Sequence, residues 1–285
     1  MKVVSNPHEA YAHVSHWRRE GLSIGIIPTM GALHEGHLEL VRRSVSECDI
    51  TTATIFVNPT QFAPHEDLSR YPRTLENDLE GLRDARCDLV FVPQNEALYP
   101  NGFSTYVQPP ATAEPLEGVC RPGHYRGVCT VVLKLFGILP ATVAYFGQKD
   151  YQQLTVIRRM VEDLNVSIRI EGCPTVRELD GLAMSSRNRY LDAEQRKRAL
   201  CLWTALTLVQ RLVQEGQRDV LKLEAALHDQ LLVGGADRID YARIVHADTL
   251  ADLQVVDQPA IALIAVHVGT TRLIDNLVIN LATNQ

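Results

Sequence analysis

Two histidines stand three residues apart, His34 and His37, within the stretch PTMGALHEGH at 28–37. An apolar run precedes them and an amphipathic run follows, so the stretch reads as a strand-to-helix junction. Backbone N–H groups and the macrodipole gather at such a helix start and favour anions there. Two imidazoles add donors that carry no permanent charge. That suits a phosphate chain whose negative charge grows during a reaction. Gly31 and Gly36 let backbone approach a ligand closely. The same pair also reads as surface or capping histidines. A zincin needs histidines four apart in HExxH, and HEGH is one residue short. No CxxC pair or carboxylate cluster supplies further ligands, so zinc is disfavoured.

Three other clusters follow predicted strands. GQKDYQQ carries Lys149 and Asp150 just after Gly147. A lysine at a helix start can reach phosphate, and an aspartate can bond ribose hydroxyls. The bland alternative is an ordinary exposed helix start. NPTQF carries Asn58 and Gln61, and Gln153 adds a third neutral amide. Amides both donate and accept, so they suit a ligand with hydroxyls and a carboxylate or amide. Each can equally satisfy nearby backbone. GLAMSSRN (181–188) carries Ser185, Ser186 and Arg187, two hydroxyls and a guanidinium that can clamp a triphosphate. A helix cap is the alternative, with Asp192 opening the next helix. CRPGHYRG (120–127) holds Arg121, His124 and Arg126, a small basic loop that binds a carboxylate or is merely solvated.

The elements that must carry these clusters alternate. Asn6-Pro7 caps a helix over 7–19, with Gly21 as its stop. Strands are predicted at 23–28, 51–57, 88–92, 142–146 and 166–172. Helices are predicted from the HEGH junction to Cys48, then at 74–85, 126–139 and 151–163. Such alternation is the mark of a parallel sheet with crossover helices. After Pro174 the composition shifts to two polar-faced helices over 192–233, separated near Gly216. Three strand-like runs follow at 238–246, 260–267 and 272–279. The fold class expected is α/β, a Rossmann-like doubly wound parallel sheet followed by a smaller α+β C-terminal domain. The expected boundary is near Val176, giving 1–175 and 176–285. Ligands of open parallel sheets bind beyond the carboxyl ends of the strands, where these clusters would meet.

Composition excludes several classes. The chain has 285 residues, 46% apolar and 22% charged, which is ordinary for globular proteins. Lys plus Arg total 28 and Asp plus Glu 34, a net charge of −6. That balance disfavours non-specific nucleic-acid or membrane-surface binding. Leu22–Ile27 is too short to cross a bilayer, and the charged segment before it is unlike a signal peptide. The six cysteines are scattered, so reduced thiols and a soluble cytoplasmic protein are expected. Neither GxxxxGK[ST] nor GxGxxG occurs, which disfavours P-loop kinases and nicotinamide enzymes.

Taken in order, PTMGALHEGH, IFVNPTQF, YPRTLENDL, LEGVCRPGHYRGV, FGQKDYQQL, GLAMSSRN and RLIDNL resemble the pantothenate synthetase (pantoate–β-alanine ligase) family of the HxGH nucleotidyltransferase superfamily. The resemblance covers nearly the whole chain. It implies an ATP-dependent, AMP-forming ligase that joins (R)-pantoate to β-alanine through a pantoyl adenylate, with pyrophosphate released. It implies Mg²⁺ with the ATP and a homodimer. Met30, Gly31, Ala32, Leu33, His34, Glu35, Gly36 and His37 resemble the first ATP segment, His37 being the proton donor. Gly147, Gln148, Lys149 and Asp150 resemble the ribose and phosphate segment, and Val176 an adenine contact. Met184, Ser185, Ser186 and Arg187 resemble the family's mobile phosphate loop. Gln61 resembles the residue shared by pantoate and β-alanine, and Gln153 a second pantoate contact.

Two positions depart from the family, Gln148 where Glu is commoner and Thr60 where Met or Leu is. Neither removes a phosphate donor, so only affinity is expected to change. His34, His37, Lys149, Ser185, Ser186 and Arg187 are the groups expected to stabilise the phosphoryl transition state. Asn58 is expected near the substrates. The competing readings are another HxGH adenylyltransferase and a nucleotide-binding regulatory module.

Overall fold

The structure, a computed structural model, describes residues 1–63 and 66–281. Contacts divide the chain into two units. The first holds Met1–Gln148 and Gln152–Pro174, and the second Lys149–Tyr151 and Thr175–Gln285.

The first unit is a six-stranded parallel sheet with helices on both faces. In chain order its elements are β1 Lys2–Val4, α1 Pro7–Arg19, β2 Ile24–Thr29, α2 Glu35–Glu47, β3 Ile50–Ile55, α3 Leu75–Asp84, β4 Leu89–Phe91, α4 Asn95–Leu98, α5 Glu117–Cys120, α6 His124–Ile138, β5 Val143–Gly147, α7 Tyr151–Asp163 and β6 Arg169–Cys173. The strand order is β1-β4-β3-β2-β5-β6. The chain therefore runs outward from β2 to β4, then returns to lay β5 on the other side of β2. That reversal is a topological switch point, the crevice where doubly wound sheets take ligands.

Alternation along β2 explains the layers. Ile24 and Ile26 join Ala10, Val14, Val128, Val132 and Ile157 in one core. Ile27 points to the other face, among Leu40, Val41, Ile55, Leu82 and Tyr145. With both faces covered, strands of this kind read as short apolar runs. The α1 bounds agree with the cap reading, since Asn6 accepts the N–H groups of His8 and Glu9. The edge strand β1 was not expected. It has three residues and buries only Val4.

The second unit carries α8 Ala193–Arg198, α9 Cys201–Gln214, α10 Val220–Val233, and the antiparallel strands β7 Arg238–His246, β8 Ala260–Val268 and β9 Thr271–Ile279. One face of this sheet packs on α9 and α10. Leu202, Ala205, Leu206, Val209 and Val213 recur at helical spacing and meet Ile244, Ala262, Ile264 and Val266. The expectation of two helices over 192–233 is corrected to three. Tight i→i+3 bonds from Leu200 N–H to Lys197 and from Leu202 N–H to Ala199 turn the chain between α8 and α9.

The six cysteines form no disulfide; Cys48 and Cys120 are half-buried and the other four buried. Among the described residues no helix is long and apolar enough to cross a membrane.

Candidate active site

At the end of β2 the chain makes a tight turn before α2. Gly31 has φ +81° and Ala32 φ +50°, both in the left-handed region. A Cβ on Gly31 would lie 3.0 Å from an oxygen of Asp78 and 3.1 Å from Ile55. Glycine is thus required here by conformation and by space. Thr29 Oγ1 accepts the Gly31 N–H at 3.2 Å. Asp78, only 3% exposed on α3, accepts the N–H groups of Ala32 at 2.9 Å and Leu33 at 2.8 Å.

His34 is the extended N-cap residue of α2 and His37 sits in its first turn. Their rings lie 4.1 Å apart, tilted by 37°. The His34 N–H points at His37 Nδ1 over a long 3.4 Å. A backbone N–H can only donate, so Nδ1 accepts and the neutral ring carries its proton on Nε2. The turn therefore presents an Nε2–H donor near the N–H groups of Glu35 and Gly36 at the helix start, while the His37 N–H donates to the His34 carbonyl at 2.8 Å. Glu35 faces Arg42, which holds its carboxyl below the usual range.

The amide cluster is built around Asn58, which is 1% exposed. Its Oδ1 accepts from the Tyr99 hydroxyl at 2.8 Å and from the Thr60 hydroxyl at 2.9 Å. Its Nδ2 donates to Gln61 Oε1 at 3.0 Å and to the Gly127 carbonyl at 3.2 Å. Both Asn58 protons are thus used inside the protein, and what they fix is the Gln61 amide. With Oε1 held by Asn58, Gln61 turns its Nε2 donor toward Met30 Sδ, 3.1 Å away. A donor so oriented suits a carboxylate or hydroxyl oxygen. Gly127 permits the approach, because a Cβ there would fall 2.3 Å from the Thr60 carbonyl.

His124 holds Gln61 from the other side. Arg121 Nη1 lies 3.2 Å from His124 Nε2, and His124 Nδ1 lies 2.9 Å from the Gln61 carbonyl. A guanidinium only donates, so Nε2 accepts and Nδ1–H donates to the carbonyl. Burial, and then the Arg121 charge, push the His124 pKa down to about 4. Arg121 in turn grips Glu66 with Nε at 2.6 Å and Nη2 at 2.8 Å. Burial raises the Glu66 pKa, but the Arg121 fork outweighs it and the net direction is down. Arg126 stacks over the Tyr106 ring at 4.0 Å. These groups line a cavity of 320 Å³ together with Gln61. The basic loop is thus neither simply solvated nor free, since two of its three basic residues are tied into the support of Gln61. Glu66, Tyr99 and Tyr106 were not singled out in the sequence, and no local motif marks them.

Gln153 is half-buried on the first turn of α7. Its neighbour Gln152 is buried and serves the fold, accepting the Glu117 N–H and donating to the carbonyls of Thr112 and Pro115. Gly147 ends β5, and Gln148 opens a 3₁₀ turn to Asp150. Lys149 Nζ lies 3.5 Å from Asp150. The Lys149 carbonyl accepts from Asn276 Nδ2 at 2.8 Å.

In the second unit, Val176 to Met184 form a small hairpin, with the Met184 N–H on the Val176 carbonyl at 3.0 Å. Arg177 binds Asp275 through both terminal nitrogens, at 2.7 and 3.0 Å, and stacks over Trp203 at 3.8 Å. Arg196 binds Glu178 at 2.7 Å and Asp180 at 2.8 Å. Ser185 caps a 3₁₀ turn, Ser186–Tyr190, by accepting the Arg187 N–H at 3.3 Å. The helix that follows, α8, is capped by Asp192, whose side chain accepts the N–H groups of Glu194 and Gln195. Ser186 is buried and Arg187 half-buried.

The sequence profile of the family described as pantoate-beta-alanine ligase matches residues 2–278. The chain belongs to the pantoate–β-alanine ligase family. It is accordingly a ligase, and relatives named pantothenate synthetase match it over most of their length. The pantothenate synthetase of Caldicellulosiruptor saccharolyticus is 49% identical over 279 residues, 98% of this chain and 99% of its own. That of Moorella thermoacetica is 52% identical over 267 residues, 94% of each chain. The crystal structure of pantothenate synthetase from Thermus thermophilus superposes with a TM-score of 0.92 at 45% identity, covering 97% of this chain and 99% of that one. A pantoate–β-alanine ligase from Francisella tularensis, complexed with β-γ ATP and β-alanine, gives 0.80 at 32% identity, covering 98% and 97%.

Proposed function

We propose that this ligase joins pantoate to β-alanine in two steps, with ATP consumed in the first. A pantoate carboxylate oxygen attacks the α-phosphorus in line, the bond to pyrophosphate breaks, and a pantoyl adenylate forms. The neutral amine of β-alanine then attacks the adenylate carbonyl. AMP leaves with the bridging oxygen, and one amine proton passes to solvent.

The observation that carries this reading is the α2 turn at the switch point, with two imidazoles at a helix start. The assigned roles are those the family resemblance implies, and the donor chemistry of the residues supports them. ATP meets Met30–His37, Gly147–Asp150, Val176 and Met184–Arg187. His37 Nε2–H, His34, Lys149, Ser185, Ser186 and Arg187 stabilise charge on the phosphoryl oxygens. Each such donor is worth about 3 kcal/mol when the site is preorganised. Gln61 donates to pantoate and later to β-alanine, Gln153 contacts pantoate, and Asn58 keeps Gln61 oriented.

Among the described residues no group of three His, Cys, Asp or Glu is placed to hold a metal. Mg²⁺, which the family resemblance implies, would enter with the nucleotide and supply charge neutralisation at its phosphates. We also propose a homodimer in the cytoplasm, in keeping with the family resemblance.

Product analysis tests the scheme. ATP and pantoate are supplied with and without β-alanine. Steady AMP and pyrophosphate only with β-alanine are expected, with one enzyme-bound equivalent of adenylate in its absence. ADP and phosphate would overturn the adenylate route.

A further inference from the structure

Two consecutive residues with positive φ turn neighbouring N–H groups toward one point, an arrangement that ordinarily cradles an anion such as phosphate. In the Gly31–Leu33 turn the anion is already present, and it is the side chain of Asp78. Its Oδ2 takes the Ala32 N–H at 2.9 Å and its Oδ1 the Leu33 N–H at 2.8 Å. The Thr74 hydroxyl adds a third donor to Oδ1 at 3.1 Å. Thr74 is itself fixed, because it is the N-cap residue of α3 and its carbonyl accepts the Asp78 N–H at 2.9 Å. These N–H groups are consequently not available to a nucleotide. Phosphate donors must come from the next residues along, His34 and His37 and the first turn of α2.

We propose that Asp78 is a positioning residue for adenylate formation, setting where His34 and His37 stand by clamping the turn that leads into them, and that it is not a metal ligand. This rests on the ATP reading above. Three arguments support it. Asp78 reaches 46 residues along the chain to its partners, so the contact is made by the fold and not by local sequence. Its carboxylate is 3% exposed and engaged on both oxygens by N–H and O–H donors, an environment arranged for an anion and not for a cation. Finally, Ala32 at φ +50° is a conformation that alanine rarely adopts, so an external clamp is needed to hold it.

The test separates the two half-reactions in full-length Asp78→Asn. The substituted amide presents NH₂ to one of the two backbone N–H groups, so one hydrogen bond becomes a donor–donor contact. Pyrophosphate release in the first turnover, at saturating ATP and pantoate, should fall about 100-fold, the scale of a 1 Å misplacement near the chemistry. AMP release from supplied pantoyl adenylate and β-alanine should stay within about twofold, since it needs no phosphate donor. The Mg²⁺ concentration for half-maximal rate should not move. Thr74→Val removes a single bond to the same carboxylate and should lower the first half-reaction about threefold. It carries the test if the Asn variant does not fold.

Equal loss in both half-reactions would make Asp78 merely structural and overturn the proposal. A raised Mg²⁺ requirement would make it a metal ligand and overturn it too, as would no change at all. Wild-type enzyme that forms no AMP would instead overturn the ATP reading beneath it.

Discussion

The groups that hold Gln61 are mostly neutral: the Asn58 amide, the hydroxyls of Thr60 and Tyr99, and an uncharged His124. The groups that hold the 176–190 segment are charged: Arg177 on Asp275, and Arg196 on Glu178 and Asp180. Neutral buried bonds define direction, because each donor has one acceptor and a rotated amide leaves two groups unmet. Charged pairs tolerate small displacements, and where they meet water they are screened. The amide region is thus built to aim one donor, and the hairpin region to keep a segment attached. The exception lies within the second region. Asp275 is 2% exposed, so its pair with Arg177 behaves as a buried interaction.

The largest expected effect exploits that exception. Arg177→Ala leaves Asp275 buried without its partner, which should cost about 3–5 kcal/mol in denaturant unfolding. A loss below about 1 kcal/mol would place the pair with ordinary surface bridges and erase the distinction.

Next comes pH. The folded pKa of His124 is pushed down to about 4, below an unfolded value near 6.5. Between those values the unfolded chain binds the extra proton, so stability rises with pH across the window and is lost on acidification. The shift corresponds to roughly 3 kcal/mol. His124→Asn should flatten the slope of unfolding free energy between about pH 6.5 and 4, read by urea titration at each pH.

Asn58→Ala should destabilise by about 1–3 kcal/mol, by leaving the Gln61 Oε1 without its donor and the Tyr99 and Thr60 hydroxyls without their shared acceptor. It should also raise the KM for pantoate about tenfold or more, as Gln61 loses its orientation. An unchanged KM with lowered stability would separate the support from the substrate. The smallest effect is expected for Arg196→Gln. Its half-exposed bridges should contribute about 1 kcal/mol or less, and that contribution should shrink in 1 M salt.

Much of the frame was legible in the sequence. Asn6-Pro7 and Gly21 bracket α1 with local capping chemistry, and the strands of the parallel sheet are short apolar runs between turn residues. What was not legible is mostly long-range. Glu66 meets Arg121 across 55 residues and Asp78 meets Ala32 across 46, and nothing near either acid announces its partner. Adjacent glutamines also part company by geometry alone. Gln152 faces inward to three backbone groups, whereas Gln153 stays half-exposed, a choice set by helix phase against α5. Strand β1 escaped notice because three residues with one buried side chain make no pattern.

Gly127, whose missing side chain lets α6 close on Thr60, also dictates an order of events during synthesis. Gln61 leans on His124, and Asn58, which holds the Gln61 Oε1, leans on Gly127; the bonds concerned span 63 and 69 residues. Chains grow from the N-terminus at ~5–20 residues per second, so those supports arrive roughly 3–13 seconds after Gln61 itself. A nascent chain that has just completed β4 already owns β2, both imidazoles and the Asp78 clamp. It already owns Asn58, which holds the Gln61 Oε1, but it lacks Tyr99, His124 and Gly127, which complete the support of that amide. The turn that carries both imidazoles is therefore in place before the support of Gln61 is complete, and a stalled or truncated chain ending ahead of α6 keeps only the former.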